Sequence, residues 1–390
     1  MSGSIKIPVT KVAGTTKLTK KIDIAVKPMP VVTKAHAALQ KKYDALGGEA
    51  TFGKIPDGSL TRKTWDFGSQ CLVYNARQDA AFHVMGDICS KWKALGGDWI
   101  PDTDETATPD GVGRYNHFSD GTASIYWTPD TGACAIYGDI RKRWSELGWE
   151  RGTLGYPTSD EEDIDDGGRA NSFQHGWIYW WPDTGAIDLG DVVLSYTGFY
   201  AYKESDHDQS SGSDEPYCIF TILAPKAKDE PYTLRSKVYG GVDDSSARPD
   251  HLELYRGPAY GLILGVVGME HDNGDPDKNK ALVQGIVKAN HEVGKFMLQF
   301  IPLVGPIISK IAGPLLDGVM PKIGGAIATL LDLGDDKIGA VSMALPTKKL
   351  VTLATRGSVS DLKGIRHKLG SGTMAHGGAR YEAFFSVDPA

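Results

Sequence analysis

A unit of about 52 residues recurs three times between residues 36 and 191. Gly86-Asp87-Ile88, Gly138-Asp139-Ile140 and Gly190-Asp191-Val192 lie 52 residues apart, and Tyr74, Tyr126 and Tyr179 recur at spacings of 52 and 53. Leu46-Gly47, Leu95-Gly96 and Leu147-Gly148 mark the beginnings. A period of this size means one supersecondary unit that buries its apolar face by stacking on its copies. The spacing places the copies at 36–87, 88–139 and 140–191, after an extension over 1–35. Ile88, Trp92 and Leu95, and again Ile140, Trp144 and Leu147, fall at i, i+4 and i+7, one face of a short helix. A hairpin follows in each of these copies, Ile125-Tyr126-Trp127-Thr128-Pro129-Asp130-Thr131-Gly132-Ala133 and Ile178-Tyr179-Trp180-Trp181-Pro182-Asp183-Thr184-Gly185-Ala186. Pro sets φ in the turn and Gly accepts the left-handed position. The fixed period predicts an α+β module over 36–192 that folds separately from residues 193–390.

Copy three also carries Leu154-Gly155-Tyr156-Pro157, Thr158-Ser159-Asp160-Glu161 and Asn171-Ser172-Phe173-Gln174. With its hairpin, this set resembles the LGFP repeat. Copy two keeps Tyr115-Asn116-His117-Phe118 and the hairpin but reads Ile100-Pro101-Asp102 at the loop, and copy one is the most degenerate, with Phe52-Gly53-Lys54 there. The resemblance implies attachment to cell-wall or other glycans, often beside a separate effector domain. The residues fit that expectation, because aromatic rings offer flat faces to sugar C–H groups and amides and imidazoles reach hydroxyls. The expected glycan contacts are Asn116, His117, Tyr126, Trp127, Asn171, Gln174, Tyr179 and Trp181. Trp92 and Trp144, on the apolar helix faces, are expected in the core.

The second half has acidic residues grouped at the ends of apolar runs. Asp208 and Asp214-Glu215-Pro216-Tyr217 flank a Gly/Ser turn, Glu270 and Asp272 close the run Leu262–Met269, and Asp336 precedes Ile338-Gly339. Ca²⁺ takes six to eight hard oxygens, which carboxylate loops at strand ends supply. These stretches resemble the C2 domain family, over about 190–345 and the end strand Tyr381–Val387. The resemblance implies a β-sandwich binding Ca²⁺ through Asp208, Asp214 or the inserted Glu215, Glu270, Asp272 and Asp336. Here residues 273–335 separate the last two motifs.

That separating stretch is rich in apolar residues. Ala281–Ile301 has the spacing of an amphipathic helix, and Phe296–Leu331 carries three charges, Lys310, Asp317 and Lys322. Its longest uncharged run, Phe296–Ser309, is too short to cross a membrane as a helix. The expectation is an apolar helical insertion over 280–334 on the sandwich. In C2 domains the loops at the Ca²⁺ end touch lipid, so the resemblance makes Phe296, Phe300, Ile307, Ile308, Leu315 and Leu330 the expected membrane-active residues.

A net charge of −7 argues against a general nucleic-acid binder. No HExxH and no Gly-x-Ser-x-Gly elbow occurs, so the chain is read as a non-enzyme. The four cysteines, Cys71, Cys89, Cys134 and Cys218, show no metal spacing. No secretory signal is read at the start, which leaves the location open between a cytosolic life and cytoplasmic synthesis followed by lysis, non-classical release or extracellular action. The function expected is a glycan-binding, lectin-like protein with a Ca²⁺-dependent membrane-interacting domain, a toxin-like or pore-forming effector. The alternatives are a non-enzymatic surface adhesion protein and a cell-wall hydrolase targeted by its repeats.

Overall fold

The computed structural model describes residues 33–204, 213–224, 232–271 and 336–390. Asp208, Asp272, nearly all of the N-terminal extension and the whole apolar segment, with Phe296, Phe300, Ile307, Ile308, Leu315 and Leu330, lie outside the described residues.

Helix α1 (Lys34–Ala45) opens at Thr33, whose Oγ1 accepts from His36 N at 3.1 Å, satisfying an amide the helix cannot. After the short α2 (Glu49–Phe52) comes an antiparallel sheet of β1 (Thr64–Asp66), β2 (Gln70–Asn75) and β3 (Ala80–Met85). Helix α3 (Gly86–Ala94) leads to a second sheet of β4 (Thr106–Ala107), β5 (Arg114–Phe118), β6 (Ala123–Thr128) and β7 (Gly132–Tyr137). Helix α4 (Gly138–Glu146) leads to a third, of β8 (Glu162–Ile164), β9 (Gly168–Phe173), β10 (Gly176–Trp181) and β11 (Gly185–Leu189).

Helices and sheets alternate in layers. α1 covers one face of the first sheet, with Leu39 and Tyr43 on Trp65, Leu72 and Tyr74. α3 puts Ile88, Cys89 and Trp92 between Cys71, Val73 and Val84 of the first sheet and Ala123, Ile125 and Ala135 of the second. α4 puts Ile140 and Trp144 between Tyr126 and Ile136 of the second sheet and Phe173 and Ile178 of the third. Trp92 and Trp144 are core, as their spacing predicts.

Each junction is closed by the same contacts. Asp104 accepts from His83 N at 2.8 Å and pairs with Lys42 of α1 at 2.7 Å. One unit on, Asp160 accepts from Ala135 N at 2.8 Å and pairs with Lys91 of α3 at 2.6 Å. The Trp127 indole donates to Asp87 at 2.8 Å, and the Trp180 indole to Asp139 at 3.0 Å.

One sequence equivalence is corrected. Tyr74 faces its own helix α1, whereas Tyr126 and Tyr179 sit on the sheet face turned away from theirs. The turn between β2 and β3 spans residues 76–79, one residue more than the turns over 129–131 and 182–184. Side chains alternate along a strand, so one added residue moves the pattern to the other face. Val73, 53 residues before Tyr126, holds the matching place.

The third sheet runs directly into the second half, with two residues between β11, ending at Leu189, and β12 (Val192–Lys203). The next strands are β13 (Pro216–Leu223), β14 (Tyr232–Arg235), β15 (Ser246–Gly257), β16 (Leu262–Glu270) and β17 (Asp336–Leu345). Helix α5 (Thr347–Arg356), the small hairpin β18 (Ser360–Leu362) and β19 (Ile365–His367), β20 (Leu369–His376) and β21 (Ala379–Pro389) complete the chain. Two four-stranded antiparallel sheets, in orders β15-β12-β21-β20 and β14-β13-β16-β17, face each other across a core in which Tyr196 lies 4.8 Å from Phe220.

The expected separability of the first module meets an obstacle in this core. Tyr179, Trp181, Ile187 and Leu189 of the third sheet belong to the same buried cluster as the sandwich residues Leu194, Tyr255 and Leu350. Trp177 packs edge-on against Tyr260 at 4.5 Å, and Asp165 accepts from Lys348 N at 3.1 Å. The repeats and the sandwich share apolar contacts, so cutting between them exposes a finished sheet face.

Candidate ligand-binding cleft

Between the second sheet and the turn after α4 lies an open cavity of about 500 Å³. Its lining is Pro109, Tyr115, His117, Tyr126, Gly148, Trp149, Glu150 and Arg151. β5 presents Tyr115 and His117, β6 presents Tyr126, and the 3-10 turn Trp149–Arg151 supplies the opposite wall.

The rings form one ordered group. Tyr115 and Tyr126 stack at 5.0 Å with 12° between planes. Trp149 lies 6.4 Å from Tyr126, nearly parallel to it, and 5.9 Å from His117. Behind it, buried Trp144 meets Trp149 edge-on at 5.2 Å. The Arg141 guanidinium sits 4.8 Å from the Trp149 ring, a cation–π contact.

Trp149 holds a costly backbone conformation, with φ at 59°. The corresponding positions of the other two units, in Leu46-Gly47-Gly48 and Leu95-Gly96-Gly97, are glycines at φ 56° and 70°. A side chain in the left-handed region costs about 1–2 kcal/mol relative to glycine. Of the three turns, the one that accepts this cost places an indole in the cleft.

His117 is held in one protonation state. Its Nδ1 lies 2.7 Å from Ser124 Oγ and 3.3 Å from Arg141 Nη2, and Arg141 Nε donates to Ser124 Oγ at 2.6 Å. A guanidinium only donates, so Nδ1 is an acceptor and the neutral ring carries its proton on Nε2. Burial, and then the Arg141 charge, push the imidazole down to about 4. The ring is therefore a neutral hydrogen-bond donor at physiological pH. Glu150, 8% exposed, is raised above the usual carboxylate range by burial and then by Asp110 nearby. Asp110 goes the other way. Burial alone would raise it, but hydrogen bonds from Tyr156, Val112 N and Thr108 hold it below its ordinary value. Both its oxygens accept from the Tyr156 hydroxyl, at 2.7 and 2.8 Å.

Of the residues expected to touch glycan, the cleft brings together His117 and Tyr126. Asn116 and Asn171 are fully buried and tie neighbouring units together, donating to His83 O and Thr103 O, and to Ala135 O and Ser159 O. Tyr179 and Trp181 are fully buried too, and the Trp181 indole donates to Asp165 O at 2.8 Å. No face of either ring is open to a sugar, because β10 turns both toward the sandwich core. Trp127 is half-buried at the first junction, and exposed Gln174 receives Tyr156 N at 3.0 Å. Neither lines the cleft. The sequence reading passed over Tyr115, Trp149, Glu150 and Arg151. The signal for Trp149 was present as a tryptophan where the other copies repeat Gly-Gly.

The acidic residues of the second half are distributed differently. Strand register sets Pro216 opposite Glu270, and Glu270 opposite Asp336. Asp214, Glu270 and Asp336 thus stand toward one end of one sheet. Asp214 is buried and accepts from the Tyr381 hydroxyl, whose phenol is held far above its ordinary value by burial, then by Asp214 and Glu270. Glu215 is exposed. Among the described residues, no three His, Cys, Asp or Glu side chains gather to hold a metal ion.

The LGFP repeat family matches residues 100–152 and 154–195. The whole cleft lining falls within the first of these segments. No curated protein matches the chain.

Proposed function

We propose that this chain is a non-enzymatic glycan-binding protein whose sugar site is the cleft between the second sheet and the turn after α4. The observation that carries the reading is Trp149, an indole kept in a backbone position suited to glycine and aimed into an aromatic cavity. A pyranose C–H face stacks on Trp149, the Tyr115–Tyr126 pair closes the other side, His117 Nε2 donates to a hydroxyl, and Glu150 and Arg151 reach hydroxyls at the rim. A cavity of this volume suits a small ligand segment. Hydrolysis of a glycosidic bond ordinarily uses two carboxylates. Glu150 is the one carboxylate in the lining, and Asp110 beside it is engaged by Tyr156, which supports binding over cleavage. Residues 36–87 are read as a further, divergent LGFP copy, supported by the Lys42–Asp104 junction that mirrors Lys91–Asp160. A glycan array tests the assignment. Wild type should retain one group of related oligosaccharides that Tyr126→Ala and Trp149→Gly both lose. Equal retention by all three would place the sugar elsewhere.

A second reading concerns the other half. The two facing antiparallel sheets, and the register that brings Glu270 opposite Asp336, support a C2-like domain that takes Ca²⁺ at that sheet end. Carboxylates there would hold the ion, which would neutralise their mutual repulsion at the base of the 280–334 segment and favour contact with lipid. Dye release from anionic vesicles, with and without Ca²⁺, tests it. Release that needs Ca²⁺ and is lost in Ile307→Asp and Leu330→Asp supports a membrane-active effector. No release leaves a glycan-binding adhesion protein.

A further inference from the structure

Cys71 and Cys89 lie at the first junction with their Sγ atoms 3.0 Å apart. Cys71 is on β2, Cys89 is in the first turn of α3, and both side chains are fully buried. Their place in the layered stack is informative. One unit on, the corresponding positions are Ser124 and Arg141, which meet through the hydrogen bond between Arg141 Nε and Ser124 Oγ. The third member matches too, Asp66 standing where the next unit has His117, paired with Cys71 as His117 is with Ser124. The same contact between sheet and helix is polar in one unit and built from two thiols in the other.

We propose that Cys71 and Cys89 are a modification site, an intramolecular disulfide that pins α3 to the first sheet when the chain folds in the presence of a low-molecular-weight disulfide. A disulfide bond is about 2.05 Å long, so closing this pair asks the two sulfurs to approach by about 1 Å. The hydrogen bond from Cys71, and then Lys93 against the cost of burial, hold the Cys89 thiol below its ordinary value, which suits it to attack first. The Cys89 thiolate attacks the small disulfide, forming a mixed disulfide and releasing one thiolate. Cys71 then gives up its proton and attacks the Cys89 sulfur, releasing the second thiol. The protein dithiol is oxidised, and one small disulfide is reduced to two thiols. Burial of both sulfurs places the exchange during folding, before α3 closes on the sheet. Cys134 and Cys218 lie apart from this pair in other layers, and Cys134 donates to Thr131 O.

The test refolds the full chain in a mixture of reduced and oxidised glutathione, alkylates it under denaturing conditions and maps the peptides by mass. The expected product carries label on Cys134 and Cys218 only, with the Cys71 and Cys89 peptides joined until reductant is added. Its thermal midpoint should fall with reductant in wild type and stay unchanged in the Cys71→Ser, Cys89→Ser double variant. Label on all four cysteines after refolding, or a bridge between any other pair, overturns the proposal.

Discussion

At the scale of single residues, Trp149 and His117 give the cleft its character. Replacing Trp149 by Gly removes a half-buried ring and also removes the left-handed strain, so the two effects nearly offset. Ala removes the ring and keeps the strain. Trp149→Gly should therefore be more stable than Trp149→Ala by about 1 kcal/mol in urea unfolding, the reverse of the usual Gly/Ala order. Ala as the more stable variant would mean the backbone relaxes out of the left-handed region. His117 makes a pH prediction. Its folded value, about 4, lies below the unfolded value of about 6.5. The unfolded chain then binds more protons between those values, so stability is full above about pH 6.5 and falls as pH drops toward 4. Allowing for partial solvent access, the loss should be on the order of 1–3 kcal/mol. His117→Gln should flatten the decline of the thermal midpoint between pH 7 and 4. An unchanged slope would assign the acid sensitivity to other groups.

At the scale of elements, the Leu154–Pro157 loop is a tie between units. Trp144 donates to Gly155 O at 3.1 Å, and Tyr156 reaches back to Asp110 and Thr108 of the preceding unit. Gly155 has φ at 69°, and a Cβ there would stand 2.5 Å from Gln174 Oε1. Tyr156→Phe should cost roughly 1–3 kcal/mol, because Asp110 loses the buried Tyr156 donor while Thr108 keeps Gly113 N. A cost near zero would show that water replaces the hydroxyl. The helices and hairpins were legible in the sequence, since Ile140 and Trp144 mark one helix face and Pro-Asp-Thr-Gly marks a turn. Which face each strand residue takes was not legible. One added residue in the turn after Asn75 moved Tyr74 to the opposite side, and β10 carries its aromatic residues both ways, Trp181 inward and Trp180 to Asp139. Aromatic content alone does not distinguish a sugar platform from core. The cleft became visible only when α4 brought its following turn over the second sheet.

At the scale of the whole molecule, the shared core argues against the independence that the 52-residue period predicts. A fragment ending at residue 191 would expose Tyr179, Trp181, Ile187 and Leu189, each side chain worth about 1.5–3 kcal/mol of burial. It should melt well below the full chain or aggregate. A fragment as stable as the intact protein would mean the two halves fold separately. The C2-like reading has its own test, a thermal midpoint that rises with millimolar Ca²⁺ and no longer rises in the Asp272→Asn, Asp336→Asn double variant. The central claim is that one glycan site lies in the cleft of the second and third units and depends on the Trp149 ring. Isothermal titration of the best array oligosaccharide into wild type and into folded Trp149→Gly tests this most directly. The account predicts one site per chain for wild type and at least a tenfold weaker affinity for the variant, about 1.4 kcal/mol. Equal affinity in the two proteins, or three equivalent sites per chain, would contradict it.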